Sequence, residues 1–223
     1  MEEKLDDLKA RLNDKGIIGK ERKYFNSAVL IPLLKIDNEP HLLFQRRAEE
    51  ISQPNEICFP GGEYDKRLDG DYKETALRET REELGIKEDS INLLGKLGTI
   101  VVPVGLSIDA FVAEVDIANL EELKLNYDEV VEVFTISLAY FKDNEPQKHY
   151  LEVKMHPYDF NQEGEKVTLL PVEEYGLPKR YSTPWSGRRR NIFIYPTEKG
   201  VIWGITAELI TELINELEDG DFI

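Results

Sequence analysis

A chain of 223 residues is long enough to bury a full core, and 41% hydrophobic with 32% charged residues is the ordinary balance of a water-soluble globular protein. A formal net charge of −16 argues against a nucleic-acid surface and against docking on an anionic membrane, and any polyanionic ligand must meet a locally reversed field. One cysteine cannot close an internal disulfide, the N-terminus is acidic rather than signal-like, and no apolar run approaches the roughly 20 residues of a membrane span. A soluble cytoplasmic protein is expected.

In chain order, Glu2 to Leu12 reads as an opening amphipathic helix. Ser27 to Leu34 and His41 to Gln45 read as strands joined at Asn38-Glu39-Pro40. A short apolar strand, Ile57 to Phe59, precedes the paired-glycine turn Pro60-Gly61-Gly62 and then a helix. Asn92 to Val102, Leu106 to Val115 and Val130 to Ile136 read as further strands, Ser137 to Phe141 as a short helix, and His149 to Met155 as a strand. Thr206 to Leu217 reads as the closing helix, with Ile210, Leu213, Ile214 and Leu217 as its apolar face. Residues 156 to 190, irregular and rich in Pro, Gly, Tyr and charge, are too short for a domain and read as an elaborated loop or hairpin over the site. The whole is expected to be a single α/β domain.

Chemistry is most legible between Ile57 and Ile86. Glu79, Glu82 and Glu83 stand at i, i+3 and i+4 and share one helix face, while Ala76, Leu77, Thr80 and Leu84 fall on another that can be buried. Like charges at these spacings cost roughly 0.2–0.5 kcal/mol per pair, and Gly85, read as the residue that ends the helix, sets them beside the negative end of the helix dipole. A bound cation removes both penalties. Hard carboxylate oxygens suit magnesium or manganese, and no His or second Cys lies near to argue for zinc. Taken alone, such a run is also what a solvated acidic face looks like. Two glycines ahead of it allow a bend whose backbone approaches a phosphate or offers a carbonyl to a metal, and Asp71 with Glu74 reads as a capping pair. Cys58, between Ile57 and Phe59, reads as a small buried or half-buried residue, and His41, His149 and His156 as structural.

These residues resemble the Nudix box, Gly, five residues, Glu, seven residues, then Arg-Glu-aliphatic-x-Glu-Glu-x-Gly-aliphatic. RETREELGI, Arg78 to Ile86, matches the second half with Thr80 in the aliphatic place. The first half departs: Gly62 to Arg78 spans 16 positions where the usual box has 14, and Asp69 or Asp71 stands in for the early Glu. The departure is similar to the coenzyme A pyrophosphatase subfamily, which carries an arginine-bearing LLxxR segment, a Phe-Pro-Gly-Gly run and a lengthened box. Here these are LLFQRR from Leu42 to Arg47, NEICFPGG from Asn55 to Gly62, and DKRLDGD from Asp65 to Asp71. Asn55 and Glu56 replace the usual Gly-Gln, and Gln53 stands where His is common. VIWGITAELI near the C-terminus is similar to the closing segment of those enzymes.

The resemblance implies a Nudix-type α/β/α sandwich with a mixed central sheet, and metal-dependent hydrolysis of the pyrophosphate bond of coenzyme A or its derivatives, giving 4′-phosphopantetheine and adenosine 3′,5′-bisphosphate. Glu79, Glu82 and Glu83 would hold Mg²⁺ or Mn²⁺ with the backbone of Gly62, and Arg78, at i, i+4 from Glu82, is better placed to orient a carboxylate than to touch substrate. Arg46, Arg47, Gly61 and Gly62 are the candidate substrate contacts. A glutamate of the trio, or Glu129 or Glu132 from a later loop, is a candidate base, with solvent exposure the ordinary alternative for the last two. The 3′-phosphate of coenzyme A calls for a basic contact, and Arg46, Arg47, Lys179, Arg180 and Arg188-Arg189-Arg190 are the local concentrations of positive charge. Tyr175, Tyr181 and Trp185 offer faces for adenine or simply pack their loop.

The expected partner is a small-molecule nucleotide, not nucleic acid or membrane, with a homodimer left open. Two rival readings stand beside this one. The same box serves ADP-ribose or other nucleoside diphosphate derivatives, which the Gln53, Asn55 and Glu56 substitutions favour. A Nudix fold also serves as a non-catalytic binding module, which loss of metal ligands would favour, whereas Glu79, Glu82 and Glu83 are all retained.

Overall fold

The strands of the first half assemble into one mixed sheet. The structure, a computed structural model, describes residues 16–187 and 189–219, so the expected helix from Glu2 to Leu12 lies outside the described residues. Contacts divide the chain into two units, one ending at Tyr140 and one beginning at Phe141.

The first unit runs α1 (Lys20–Lys23), β1 (Phe25–Ile36), β2 (Glu39–Arg47), β3 (Ile57–Cys58), β4 (Gly61–Glu63), α2 (Tyr72–Leu84), β5 (Ile91–Val102), β6 (Leu106–Val115) and β7 (Val130–Ser137). Strand order is β3-β2-β1-β6-β5, with β4 added to β1 and β7 to β2. β1 and β6 are parallel, the other pairs antiparallel. The mixed central sheet is therefore present. The β1–β2 turn is Asp37-Asn38, both at positive φ (50° and 69°), the geometry a two-residue hairpin needs. It lies one residue earlier than expected, and Pro40 is inside β2 opposite Lys35. Pro32 is tolerated in central β1 because it falls where one edge passes from β4, paired at residues 27–29, to β2, paired at 33–36.

Small residues let α2 lie close on this sheet. Ala28, Leu30, Ala76, Phe111 and Ala113 form one buried cluster, and Leu34, Leu43, Leu84, Ile86, Val115 and Val130 another. Thr80, in the aliphatic place of the box, is fully buried and satisfied by donating to the Ala76 carbonyl at 2.7 Å. Asp71 caps the helix by accepting from the Glu74 amide at 2.9 Å, as expected, whereas Glu74 accepts from the Gly70 amide at 2.7 Å, one residue ahead of the Asp71 amide that a reciprocal capping box uses. Gly85 ends the helix at φ 68°.

A buried ionic group ties α1 to β6 and β5. Asp109 on β6 is fully buried, pairs with Lys20 of α1 and Lys96 of β5, and accepts from Thr99 Oγ1 at 2.6 Å. Burial pushes its carboxyl upward, but the two ammonium groups and the hydroxyl outweigh this and hold it below the usual aspartate range.

The second unit holds most of the short α3 (Leu138–Asp143), then β8 (Gln147–Leu151), β9 (Lys154–Met155), β10 (Tyr158–Phe160), β11 (Lys166–Thr168), β12 (Trp185–Ser186), β13 (Arg190–Thr197), β14 (Gly200–Trp203) and α4 (Gly204–Asp219). The strand expected over His149 to Met155 is broken into β8 and β9, which pair with β13 and β12 respectively. Inside the irregular stretch β10 and β11 form a hairpin. The buried face of α4 is Ala207, Leu209, Ile210, Leu213 and Ile214, whereas Leu217, expected on it, is 37% exposed. Among the described residues no helix is long and apolar enough to cross a membrane.

Candidate active site

The paired glycines bring α2 against β1 and the β3–β4 turn. A Cβ on Gly61, at φ 154°, would lie 2.3 Å from the Ala28 carbonyl oxygen and 2.7 Å from Val29 Cα. On Gly62 it would lie 2.4 Å from Glu79 Cδ, so the Glu79 carboxylate occupies the space a side chain would take. Across the same turn Glu83 Oε2 accepts from the Gly61 amide at 2.9 Å. Two of the three box glutamates thus converge on the glycine pair.

Arg78 organises the acidic face. Its Nη1 donates to Glu79 Oε1 at 2.7 Å and to Glu82 Oε2 at 3.0 Å, and its Nη2 to the Glu63 carbonyl at 3.2 Å. From the other side Asp69 receives Nε at 2.8 Å and Nη2 at 2.9 Å. Asp69, 4% exposed, also accepts from Thr75 Oγ1 and the Asp65 amide. Hydrogen bonding to Arg78 holds its carboxyl below the usual range. The early acidic place of the box is therefore filled by a residue that binds the arginine, while Asp71 is the helix cap.

Glu83 is 3% exposed, and burial first, with Glu79 and Glu129 nearby, pushes its carboxyl up to about 7 despite the Gly61 amide and a weaker contribution from buried Gln45. Burial likewise raises Glu79, with Glu82 and Glu129 adding to it against Arg78. Glu129, for which solvent exposure was the ordinary reading, is partly buried and within electrostatic reach of both. Its position follows from helix termination. The amides of Lys124 and Asn126 donate to the otherwise unpaired carbonyls of Leu84 and Glu83 at 3.1 and 2.9 Å, and Asn126 accepts from Glu129. Glu132, by contrast, pairs with Arg46 at 2.7 Å.

Among the described residues no three His, Cys, Asp or Glu side chains form a closed ligand set, and Arg78 draws Glu79 and Glu82 to itself. The donor chemistry nonetheless fits a hard divalent cation: the donors are all oxygen, and buried Glu83 has no cationic partner among the described residues while two more carboxylates crowd it.

The expected substrate arginines are held by protein. Arg46 donates to Glu132 and to the Asn55 carbonyl at 3.3 Å; Arg47 donates to the Ser52 carbonyl at 2.9 Å, fastening a loop where Gln53 and Asn55 take positive φ. Elsewhere Arg190 pairs with Glu208, Arg180 lies over the Tyr181 ring, and Tyr181 packs edge-on to Trp185. Arg188 lies outside the described residues. Burial pushes the Cys58 thiol up to about 11, which suits a packed and unreactive side chain.

A cavity of about 670 Å³ opens beside Glu79 and Arg78, between Tyr24, Phe25 and Asn26 on one side and the lengthened box loop, Tyr64 to Leu68, on the other. Sequence reading missed it, since its two walls are joined by the Tyr64 amide to Asn26 carbonyl bond across 38 positions of chain.

A family model described as the NUDIX domain matches residues 25–182. The peroxisomal coenzyme A diphosphatase NUDT7 of Mus musculus is 37% identical over 66% of this chain and 61% of its own length, so the chain spans under two thirds of that relative. The mitochondrial coenzyme A diphosphatase NUDT8 of Mus musculus is 33% identical over 86% of this chain and 77% of its own length. Among solved structures, an Ap4A hydrolase of C. elegans aligns with TM-score 0.43 and 20% identity over 51% of this chain and 80% of that one. A glycine pair pressed on two glutamates of an Arg-Glu-x-x-Glu-Glu helix, a mixed sheet that carries them, and a match spanning most of the sequence lead to one assignment: the chain belongs to the Nudix hydrolase family.

Proposed function

We propose that this protein hydrolyses the pyrophosphate bond of coenzyme A or its derivatives, releasing 4′-phosphopantetheine and adenosine 3′,5′-bisphosphate, with Mg²⁺ or Mn²⁺ as cofactor. The observation that carries the reading is the buried Glu83 on the Gly61 amide, without an ion pair to a basic side chain among the described residues and with Glu79 and Glu129 beside it. The coenzyme A diphosphatase names of relatives at 33–37% identity support the substrate class. Glu79, Glu82 and Glu83 would hold a divalent cation, and that cation would supply charge neutralisation at the phosphoryl oxygens and a more acidic water.

The protein's own part is positioning. Arg78, fixed by Asp69, sets the Glu79 and Glu82 carboxylates. The Gly61 amide sets Glu83. Gly61 and Gly62, lacking side chains, leave the turn open to a pyrophosphate, and the Gly62 carbonyl is a further oxygen donor. Glu129 has neither Arg78 nor the Gly61 amide as a partner, which suits it to accept the proton of the attacking water. Arg46 and Arg47 would join the substrate by exchanging their present partners, Glu132 on β7 and the carbonyls of Asn55 and Ser52. The chain acts as one domain on a small-molecule nucleotide in the cytoplasm.

The test is a substrate panel with magnesium or manganese, read by chromatography. Coenzyme A should be split and ADP-ribose left largely intact; the opposite preference overturns the substrate assignment, and no hydrolysis of either overturns the enzymatic one.

A further inference from the structure

We propose that the cavity walled by Tyr24, Phe25 and the lengthened box loop seats the nucleoside half of the substrate, and that Lys66 pairs with a phosphate carried on that half away from the scissile bond. The inference rests on the function proposed above and names the subsite that confers its selectivity.

The cavity is continuous with the carboxylate face, because Arg78 and Glu79 line it, so a molecule cleaved at Glu79 extends into it. Its size, about 670 Å³, suits a nucleoside bearing a phosphate. Aromatic surface is concentrated there. Phe25 is 54% exposed and Leu68 67% exposed on opposite walls, and Tyr64 is held by Tyr72 at a centroid distance of 4.5 Å. Such faces favour a flat base over a flexible chain.

The charges decide where a phosphate fits. Of the cations lining the cavity, Arg78 is bound by Asp69, Glu79 and Glu82, and Arg67 is forked onto Asp65, with Nε to Oδ1 at 2.9 Å. Lys66 has no ion pair among the described residues and is an exposed lining residue of the same cavity. Glu21 and Glu63 also line the cavity and repel phosphate elsewhere, so the neutral base and the hydroxyl donors of a ribose face them. One anionic group has one favourable place. Arg46 and Arg47 do not line the cavity and are held by Glu132, Asn55 and Ser52.

The loop is built to hold this lysine in place. The Arg67 amide donates to Asp65 Oδ1, the Leu68 and Asp69 amides donate to the Asp65 carbonyl, and the Asp65 amide donates to Asp69 Oδ2. These bonds curl residues 65–69 into one turn anchored through Asp69 to Arg78, so the backbone that carries Lys66 is held relative to the carboxylates. The extra length of the box thereby becomes a specificity element.

The experiment is calorimetric titration with adenosine 3′,5′-bisphosphate and with adenosine 5′-monophosphate, on the wild type, Lys66→Ala, Lys66→Arg and Phe25→Ala. The wild type should bind the bisphosphate about tenfold tighter, the order of one charge-assisted contact. Lys66→Ala should erase that difference, Lys66→Arg should keep it, and Phe25→Ala should weaken both ligands together. Equal binding of the two by the wild type, absence of binding, or an undiminished difference in Lys66→Ala overturns the subsite. Coenzyme A hydrolysis is assayed on the same samples. Cleavage without the Lys66 effect removes only the subsite, whereas the Lys66 effect without cleavage removes only the activity.

Discussion

Asp69 grips Arg78 at two points, Oδ1 to Nε at 2.8 Å and Oδ2 to Nη2 at 2.9 Å, with both side chains largely out of water. The pair leaves Nη1 free to hold Glu79 and Glu82, so a residue ahead of the helix sets the geometry of carboxylates on it. Replacing Asp69 by Asn leaves a buried guanidinium short of charge and should destabilise the fold by about 3 kcal/mol, measured by urea unfolding at pH 7. Because the folded-state carboxyl lies below its unfolded value of about 3.9, the contribution is full above that pH and fades as pH falls through the folded value. The gap between wild type and variant should therefore close below the ordinary aspartate range.

The two glycines should fail in different ways. Gly61→Ala meets backbone on β1 and requires a φ that alanine disfavours, so it should lower the unfolding temperature sharply. At Gly62 the three atoms nearest an added Cβ all belong to the end of the Glu79 side chain, which can swing aside. Gly62→Ala should keep the unfolding temperature within a few degrees and lower kcat about 100-fold, the scale of a 1 Å misplacement of a catalytic group.

Burying Glu83 beside Glu79 and Glu129 is unfavourable unless a cation is present, so Glu83→Gln should leave the metal-free protein as stable as the wild type or more so. Mn²⁺ at 100 times its dissociation constant should stabilise the wild type by about 2.7 kcal/mol in thermal unfolding. Glu83→Gln should lose that gain and lower turnover by orders of magnitude, and a full metal shift in the variant would show the ligands to be elsewhere.

Glu129→Gln tests the later loop. If Glu129 accepts the proton of the attacking water, kcat should fall about 100-fold or more while KM changes little. Unchanged kcat would return Glu129 to a bystander near the helix end.

What could be read from the sequence was whatever depends on short spacing. The convergence of Glu79 and Glu83, the Asp71 cap, the Gly85 terminus and the strand Leu106–Val115 all follow from local periodicity and turn chemistry. What escaped depends on contacts between distant segments. Asp69 read as a stand-in ligand because nothing in spacing says that its carboxylate turns toward Arg78. Glu129 read as a candidate base with solvent exposure the ordinary alternative, and spacing did not choose between them because its approach relies on residues 124–126 capping the carbonyls of Glu83 and Leu84. The Lys20–Asp109–Lys96 group joins three elements and left no local trace. Leu217 followed the helical period of its neighbours but lies in the last turns of α4, where it remains 37% exposed.

The most direct measurement is to incubate the purified protein with coenzyme A and magnesium or manganese, with and without a chelator, and to identify the products by mass. Formation of 4′-phosphopantetheine and adenosine 3′,5′-bisphosphate that stops on chelation is the predicted result. Full activity in the chelated sample, or intact coenzyme A alongside cleaved ADP-ribose, would contradict it.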